Sequence, residues 1–420
     1  MFENIINQVA VDSIVNDVLN KKLPRSILFT GPENSAKLTT ALELARVLAC
    51  QKNAEWTCAC SSCQEMRAMK SLDLLIIGTR DLSIEIKVAA NTFLNAKTKG
   101  SQFLFFRAVK KLLLRFDPRI WDSDESRFVK ASPLIAETQQ LLNDVSVFVE
   151  NEDEVKLKKS LEKIIELVEK IQSTCMYETI PVNQVRKSLS WMRLTPTGKF
   201  KFLIIENAER MQEAARTAFL KILEEPPKHA FFILTSSRQA AIMPTILSRV
   251  RPYKFLKRDT QTEIEIIERV FQDKNLDTKN EENILNNYFK KFLPVDFHKI
   301  KNAALDFWNC IFVNYADNNS GLNNVKSFIA KQNIQEHKTI SQILDTIDKG
   351  KNTSVFQNFL EQLVEVLQVV LNSQNNCTAL EIENFNKASK IILKWKNANA
   401  IYNLSEQAIL ESIAMEISKL

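Results

Sequence analysis

The sequence predicts an α/β fold, a parallel sheet covered by helices, with a long helical segment set into it and only helices after it. Three observations carry that prediction. Four short apolar runs, each bounded by breaking residues, are spaced along the first 255 residues. The intervals between them place apolar residues at helical spacing. Beyond Phe255 no further buried-strand run occurs.

The first run, Ser26-Ile27-Leu28-Phe29-Thr30, breaks at Gly31-Pro32, and Leu38, Leu42, Ala45 and Leu48 then recur as one helix face. Strand, turn and helix in that order open a layered α/β unit. Leu74-Leu75-Ile76-Ile77 reads as a second strand, Lys201-Phe202-Leu203-Ile204-Ile205 as a third, and Phe231-Phe232-Ile233-Leu234-Thr235 as a fourth. Met211, Ala214, Ala215, Ala218, Leu220 and Leu223 mark a helix between the last two. Near-continuous apolar strands separated by helices favour parallel pairing, because both faces of such a sheet are covered.

From Gly78 to about Cys175 the strand signal fades and helical stripes replace it. Phe105, Val109, Leu112 and Leu113 share one face, and Leu157, Leu161, Ile164, Val168 and Ile171 form another. Lys97, Lys99, Arg107, Lys110, Lys111 and Arg115 make the first part basic, which suits either a solvated helix face or a surface for DNA phosphates. Residues 256–310 read as a small helical unit. Residues 311–420 read as a longer one with Leu360, Leu363, Val366, Leu367 and Val370 on one side, and the polar stretch 318–324 is the most linker-like break.

Composition narrows the chemistry. The chain has 420 residues and only 6 Gly, where ordinary usage would give roughly thirty, so several flexible Gly-rich phosphate loops are excluded. A net charge of +6 does not mark a nucleic-acid binder by itself. No apolar run approaches the ~18 residues of a membrane span, and the start lacks the basic and apolar regions of a secretory signal, so a cytoplasmic location without a membrane is expected. Four of the seven Cys, Cys50, Cys58, Cys60 and Cys63, fall in one short stretch. Clustered thiols in such a chain suggest metal more than disulfide. Four thiolates that converge close a tetrahedral structural zinc site and leave no open position for catalysis; the other reading is a reduced, unliganded cluster. His229, His298 and His337 are too scattered in sequence to support a metal site or a nucleophile.

Gly31-Pro32-Glu33-Asn34-Ser35-Ala36-Lys37-Leu38 stands where a phosphate-binding loop belongs. That loop needs a second Gly, here Ala36, and a hydroxyl for magnesium, here Leu38. Ala crowds the backbone against a phosphate, and Leu cannot ligate a hard cation. With Gly31 and Lys37 retained, weak nucleotide binding stays open, but turnover is not expected. The acidic pair that would hold metal and polarise water at the end of the third strand is Glu206-Asn207, with an amide in the second place. Downstream, Ser248-Arg249 sits on a short segment after Pro244. An Arg there could reach a neighbouring subunit's nucleotide, although a surface salt bridge is the default for Ser-Arg alone.

Together these residues resemble the bacterial DNA polymerase III clamp-loader family. The resemblance starts at Phe2-Glu3-Asn4-Ile5-Ile6-Asn7-Gln8 and continues through the Gly31 loop, the four Cys, Asp73-Leu74 and Ile180-Pro181-Val182-Asn183-Gln184-Val185-Arg186. It is densest over Pro196-x-x-Lys199, Ile205-Glu206-Asn207-Ala208-Glu209-Arg210-Met211, Ala218 to Pro227 and Pro244-Thr245-Ile246-Leu247-Ser248-Arg249. Residues 1–79 and 176–256 carry it, and the segment between them reads as an insertion.

What the resemblance implies is an AAA+ module over 1–255, with a zinc module at 50–63 and the insertion at about 80–175. A helical lid over 256–310 and a helical collar for oligomerisation over 311–420 would follow. The losses at Ala36, Leu38 and Glu206-Asn207, and the lack of a Gly-Ser-x-Arg-like motif after Arg258, make the chain most similar to the non-hydrolysing delta-prime subunit. By the same resemblance, Ser248-Arg249 would be an arginine finger acting in trans on ATP of a gamma/tau neighbour. Implied partners are gamma/tau and delta subunits, with the sliding clamp and primed DNA within the complex. Zinc is the implied cofactor at Cys50, Cys58, Cys60 and Cys63, although the family spacing of eight, two and two intervening residues is here seven, one and two. Two alternatives are a divergent ATP-hydrolysing gamma/tau subunit, and a module that binds DNA or a replication protein through the basic insertion.

Overall fold

The computed structural model describes residues 1–150, 153–274, 283–315, 321–332, 338–347, 353–373, 378–402 and 404–420. His337, Cys377 and the first part of the 318–324 break lie outside the described residues. The chain forms two compact units, Met1–Phe289 and Lys290–Leu420.

The first unit begins with α1 (Val9–Leu19), β1 (Ser26–Thr30), α2 (Lys37–Ala49), α3 (Ser61–Arg67) and β2 (Leu74–Ile77). Four helices follow, α4 (Ser83–Ala96), α5 (Lys99–Leu113), α6 (Ser126–Glu150) and α7 (Glu154–Cys175), and then α8 (Val182–Met192). It continues with β3 (Lys201–Ile205), α9 (Glu213–Glu224), β4 (Ala230–Ser236), α10 (Pro244–Leu247), β5 (Arg251–Lys254), α11 (Thr260–Val270) and α12 (Ile284–Lys290).

The five strands form one sheet in the order β2-β3-β4-β1-β5, with every pairing parallel. The four apolar runs read from sequence are β1 to β4. They are buried along their whole length, and alternate residues feed two cores, as the pleat requires. Leu28, Leu75, Leu203, Ile205, Phe232 and Leu234 point to a core shared with helices α4 to α9. Ile27, Phe29, Ile76, Phe202, Ile204 and Ile233 point to the opposite core, with α1, α2 and α3. β5 was not foreseen, for a physical reason. It is an edge strand in which Arg251, Pro252 and Lys254 are exposed and only Tyr253 is buried. Its stabilisation comes from pairing with β1, and Pro is tolerated because one side has no neighbour.

The segment between β2 and α8 is helical as expected. Its two stripes are buried, Phe105, Val109, Leu112 and Leu113 on α5 and Leu157, Leu161, Ile164, Val168 and Ile171 on α7. They join the same core as the sheet face above them, so the segment is built into the unit rather than hung from it.

The second unit is all helical: α13 (Phe297–Asn314), α14 (Asn323–Ala330), α15 (Ile340–Ile347), α16 (Thr353–Ser373), α17 (Ala379–Tyr402) and α18 (Glu406–Ile417). The predicted stripe Leu360, Leu363, Val366, Leu367 and Val370 is buried along α16. Trp308 on α13 is fully buried against it and donates from Nε1 to Leu363 O at 3.2 Å.

Gly31, which ends β1, has φ +148°, and a Cβ there would stand 2.2 Å from Phe255 O just beyond β5. That close approach lets Phe255 N donate to Thr30 O at 2.7 Å. Gly31→Ala is therefore expected to destabilise the first unit by about 2–4 kcal/mol, read as a lowered denaturation midpoint. An unchanged midpoint would contradict the packing described.

Candidate functional site

The loop after β1 keeps the shape of a phosphate loop while its groups are engaged elsewhere. Ala36 adopts φ +69° at the N-cap of α2, a left-handed conformation that costs a non-Gly residue about 1–2 kcal/mol. The place of the missing glycine is therefore held at a cost. Lys37 folds back on its own loop, donating from Nζ to Gly31 O at 2.7 Å, to Pro32 O, and to Ser35 Oγ at 3.3 Å. These three bonds use all three donors of an ammonium group. Burial pushes Lys37 down to about 8, helped by the Arg80 guanidinium. Leu38 is buried and offers no oxygen to a cation. The loop is further tied by Arg258, whose Nη1 donates to Asn34 O at 2.7 Å.

Glu206 follows β3 and is 2% exposed. Gly78, which follows the neighbouring β2, approaches so closely that a Cβ on it would lie 2.6 Å from Glu206 Cβ. The carboxylate is bound on both oxygens: Oε2 accepts from Arg115 Nη2, and Oε1 accepts from Arg80 Nη1 at 3.5 Å. Arg80 also donates to Glu85 Oε2 at 2.9 Å, and Lys111 donates to Glu85 Oε1 at 2.5 Å. Burial alone would raise Glu85, but Lys111 and Arg80 outweigh it and hold the carboxyl down at about 2. Arg115 is 2% exposed, its Nη1 donates to Arg80 O, and its own carbonyl accepts from Trp121 Nε1 at 2.7 Å. Asn207, in the place of the second acid, takes φ +52° and opens the short turn Ala208–Arg210.

Sequence reasoning missed Arg80 entirely and placed Arg115 in a basic face. Of the basic residues around α5, Arg107, Lys110, Lys111 and Arg115 bond within the fold, while Lys97 and Lys99 stay exposed. Besides Arg115 and Lys111, Arg107 Nη1 donates to Arg67 O at 3.3 Å and Lys110 Nζ to Ala68 O at 3.0 Å. Those are carbonyls at the C-terminal end of α3, where cations complement unpaired acceptors and the helix dipole. Lys97 pairs with Glu154. The only signal available in sequence was that Arg115 lies on the same helical stretch as the buried Leu112 and Leu113.

The four cysteines converge. Cys50, Cys58, Cys60 and Cys63 are all buried, and their sulfurs lie within 4.8 Å of one another. Sulfurs bound at about 2.3 Å to one tetrahedral ion stand about 3.8 Å apart. Cys50 Sγ is 3.6 Å from Cys58 Sγ and 3.9 Å from Cys60 Sγ, so the donor set suits zinc in spite of the shortened spacing. The backbone around it is anchored from the turn before β3: Lys199 Nζ donates to Cys50 O at 2.5 Å. Asp73 holds the turn before Lys199 through Thr197 N at 3.0 Å and Gly198 N at 2.6 Å. The described histidines His229 and His298 take no part in the cluster.

Ser248 and Arg249 follow α10. Arg249 Nη2 meets Glu224 Oε1 at 2.8 Å, and Nη1 donates to Thr245 O at 2.9 Å and Ser248 Oγ at 3.2 Å. Its side chain is one-third exposed, so the guanidinium rests in a surface ion pair with the last residue of α9. The sequence-predicted groups thus form separate sites: Lys37 bonds to its own loop, the sulfurs gather beyond the C-terminal end of α2, and Arg249 pairs with Glu224. Among the described residues, no helix is long and apolar enough to cross a membrane.

Arg115→Met would leave Glu206 buried with only the longer contact to Arg80, and is expected to cost about 3–5 kcal/mol in a denaturant titration. Adding Glu206→Gln should recover most of that loss, because the stranded charge is removed. A double variant no more stable than the single one would contradict the pairing.

A family model described as DNA polymerase III, delta subunit, matches residues 6–103 and 136–259, more than half of the chain. The DNA polymerase III subunit gamma/tau of Mycobacterium bovis is 30% identical over 79 residues, 19% of this chain and 14% of that protein. The DNA polymerase III subunit delta' of Haemophilus influenzae is 43% identical over 49 residues, 12% of this chain and 15% of that protein. Each relative is therefore matched over a small part of its own length. A crystal structure of a DNA polymerase III gamma subunit-related protein from Thermotoga maritima overlaps 58% of this chain and 80% of its own, with a TM-score of 0.29 and 16% identity, too loosely to add to the argument. The family match runs through the Gly31 loop, the four cysteines, Glu206 and Arg249, and this chain belongs to the DNA polymerase III delta-subunit family of clamp-loader proteins.

Proposed function

We propose that this chain is a non-hydrolysing, delta-prime-like subunit of a cytoplasmic clamp loader, supporting the loading of a sliding clamp onto primed DNA. The observation that carries the reading is the state of Glu206: its carboxylate is bound by Arg115 and Arg80, where a hydrolytic site would need it for metal and water. Lys37 bonded to loop carbonyls and Leu38 in the metal-ligand position point the same way. The own-site nucleotide would then bind weakly or not at all. The alternative of a divergent ATP-hydrolysing gamma/tau subunit would need those groups free. The alternative of DNA binding through the insertion is disfavoured, because Arg107, Lys110, Lys111 and Arg115 already serve internal partners.

In this reading Cys50, Cys58, Cys60 and Cys63 hold a structural zinc ion, which supplies cross-linking of the loop rather than chemistry. The sequence-read boundary at 310 falls inside α13, so in this reading α11 and α12 act as a lid, the helices of the second unit as a collar, and gamma/tau and delta subunits are the partners. Arg249, steadied by Ser248, leaves Glu224 to meet the γ-phosphate of ATP on an adjoining gamma/tau subunit and offsets charge as the bond to the leaving group breaks. Its exposed position and its single surface carboxylate partner support that exchange, since an exposed ion pair contributes only about 0–1 kcal/mol.

The test is reconstitution with gamma/tau and delta subunits. Arg249→Ala is expected to lower the ATPase of the complex several-fold while the complex still assembles, as judged by gel filtration. Undiminished ATPase in an intact complex would remove the trans role.

A further inference from the structure

Arg46 lies in the last turn of α2, is 1% exposed, and spends all its donors. Nε donates to Glu43 Oε2 at 2.9 Å, and Nη2 to Glu43 Oε1 at 2.6 Å and Ala54 O at 3.0 Å. Nη1 donates to Glu55 O at 3.1 Å and to Cys63 Sγ at 3.1 Å. A guanidinium has five N–H donors in a fixed fork, and all five are used here. The fork thus joins one sulfur to the two carbonyls of the loop between Cys50 and Cys58, where the cysteine spacing is contracted. Ala54 within that loop is held at φ +59°, a conformation that a non-Gly residue keeps only when its surroundings impose it. Glu43 neutralises the buried cation and also accepts from Phe2 N at 3.3 Å.

We propose that Arg46 is the positioning residue of the four-cysteine centre, holding the contracted loop and Cys63 in ligating geometry through one saturated guanidinium. The inference rests on the reading of the cluster as a metal site. An outer partner that orients a ligand typically contributes a factor of 10–100 in metal affinity. Lysine would keep the charge opposite Glu43, but its three donors on a point-like ammonium cannot reach Glu43, both carbonyls and the sulfur at once.

The test uses the full chain. Zinc affinity is measured by competition with a chromophoric chelator, and cobalt(II) serves as an optical probe of thiolate ligation. Wild type is expected to take one metal per chain and to give a four-thiolate cobalt spectrum. Arg46→Lys is expected to bind zinc about 10–100-fold more weakly, with a weakened or shifted thiolate-to-cobalt band. Because Arg46→Met alone would strand Glu43, the charge-neutral pair Glu43→Gln/Arg46→Met is the second variant, and the same loss is expected from it. Wild-type affinity and an unaltered cobalt spectrum in either variant would overturn the positioning role. Failure of the wild type to take up any metal would overturn the metal reading itself, and that outcome is distinct because it appears before any variant is compared.

Discussion

A carboxylate buried at the carboxyl end of the central strands must meet positive charge, and in this chain Arg115 and Arg80 supply it to Glu206. Leaving such a group unpaired would cost several kcal/mol. In a hydrolytic site of this kind part of the compensation comes from a metal ion and its waters. Here it comes from side chains, one three residues after β2 and one in the turn just beyond α5. The helical segment between β2 and α8 is therefore bound to the sheet by charge as well as by the apolar contacts of Phe105, Val109 and Leu112. Residues 104–135, which include Arg115, fall between the two stretches that the family model matches. The neutralising arginine is thus carried on a part of the chain outside the family pattern, while Glu206 lies within it.

The same economy runs through the loop after β1 and the cysteine centre, which share one helix. α2 begins at Lys37, whose ammonium closes the loop on its own carbonyls, and ends one residue before Cys50, with Arg46 in its last turn. A helix held at both ends this way serves as a rigid strut between the sheet and the four-sulfur module. The strained conformation of Ala36 is compatible with this arrangement, because the surrounding bonds over-determine it.

Much of this was legible in the sequence where the signal is local. The four apolar strands, the stripes of α5, α7 and α16, the loss of a hydroxyl at Leu38 and the grouping of Cys50, Cys58, Cys60 and Cys63 all come from residues close together in the chain. What was not legible depends on distant partners. β5 exists because β1 offers it an edge, and its own residues, with a proline and two exposed cations, argue against a strand. The Arg115–Glu206 contact joins residues 91 apart in sequence, and a basic helix gives no sign of which of its cations turns inward. Arg107 and Lys110 read as a surface until the end of α3 is placed beside them. Arg46, which bonds to Cys63 and to the loop before Cys58, likewise lies outside the motif itself.

Lys37 and Glu206, the groups a nucleotide site would need, are already bonded within the protein, and the proposed non-hydrolysing role rests on that. Its most direct measurement is ATP turnover by the purified chain alone with magnesium, beside a Lys37→Ala variant. No turnover above background is predicted for either protein. Magnesium-dependent hydrolysis by the wild type that disappears in Lys37→Ala would contradict it.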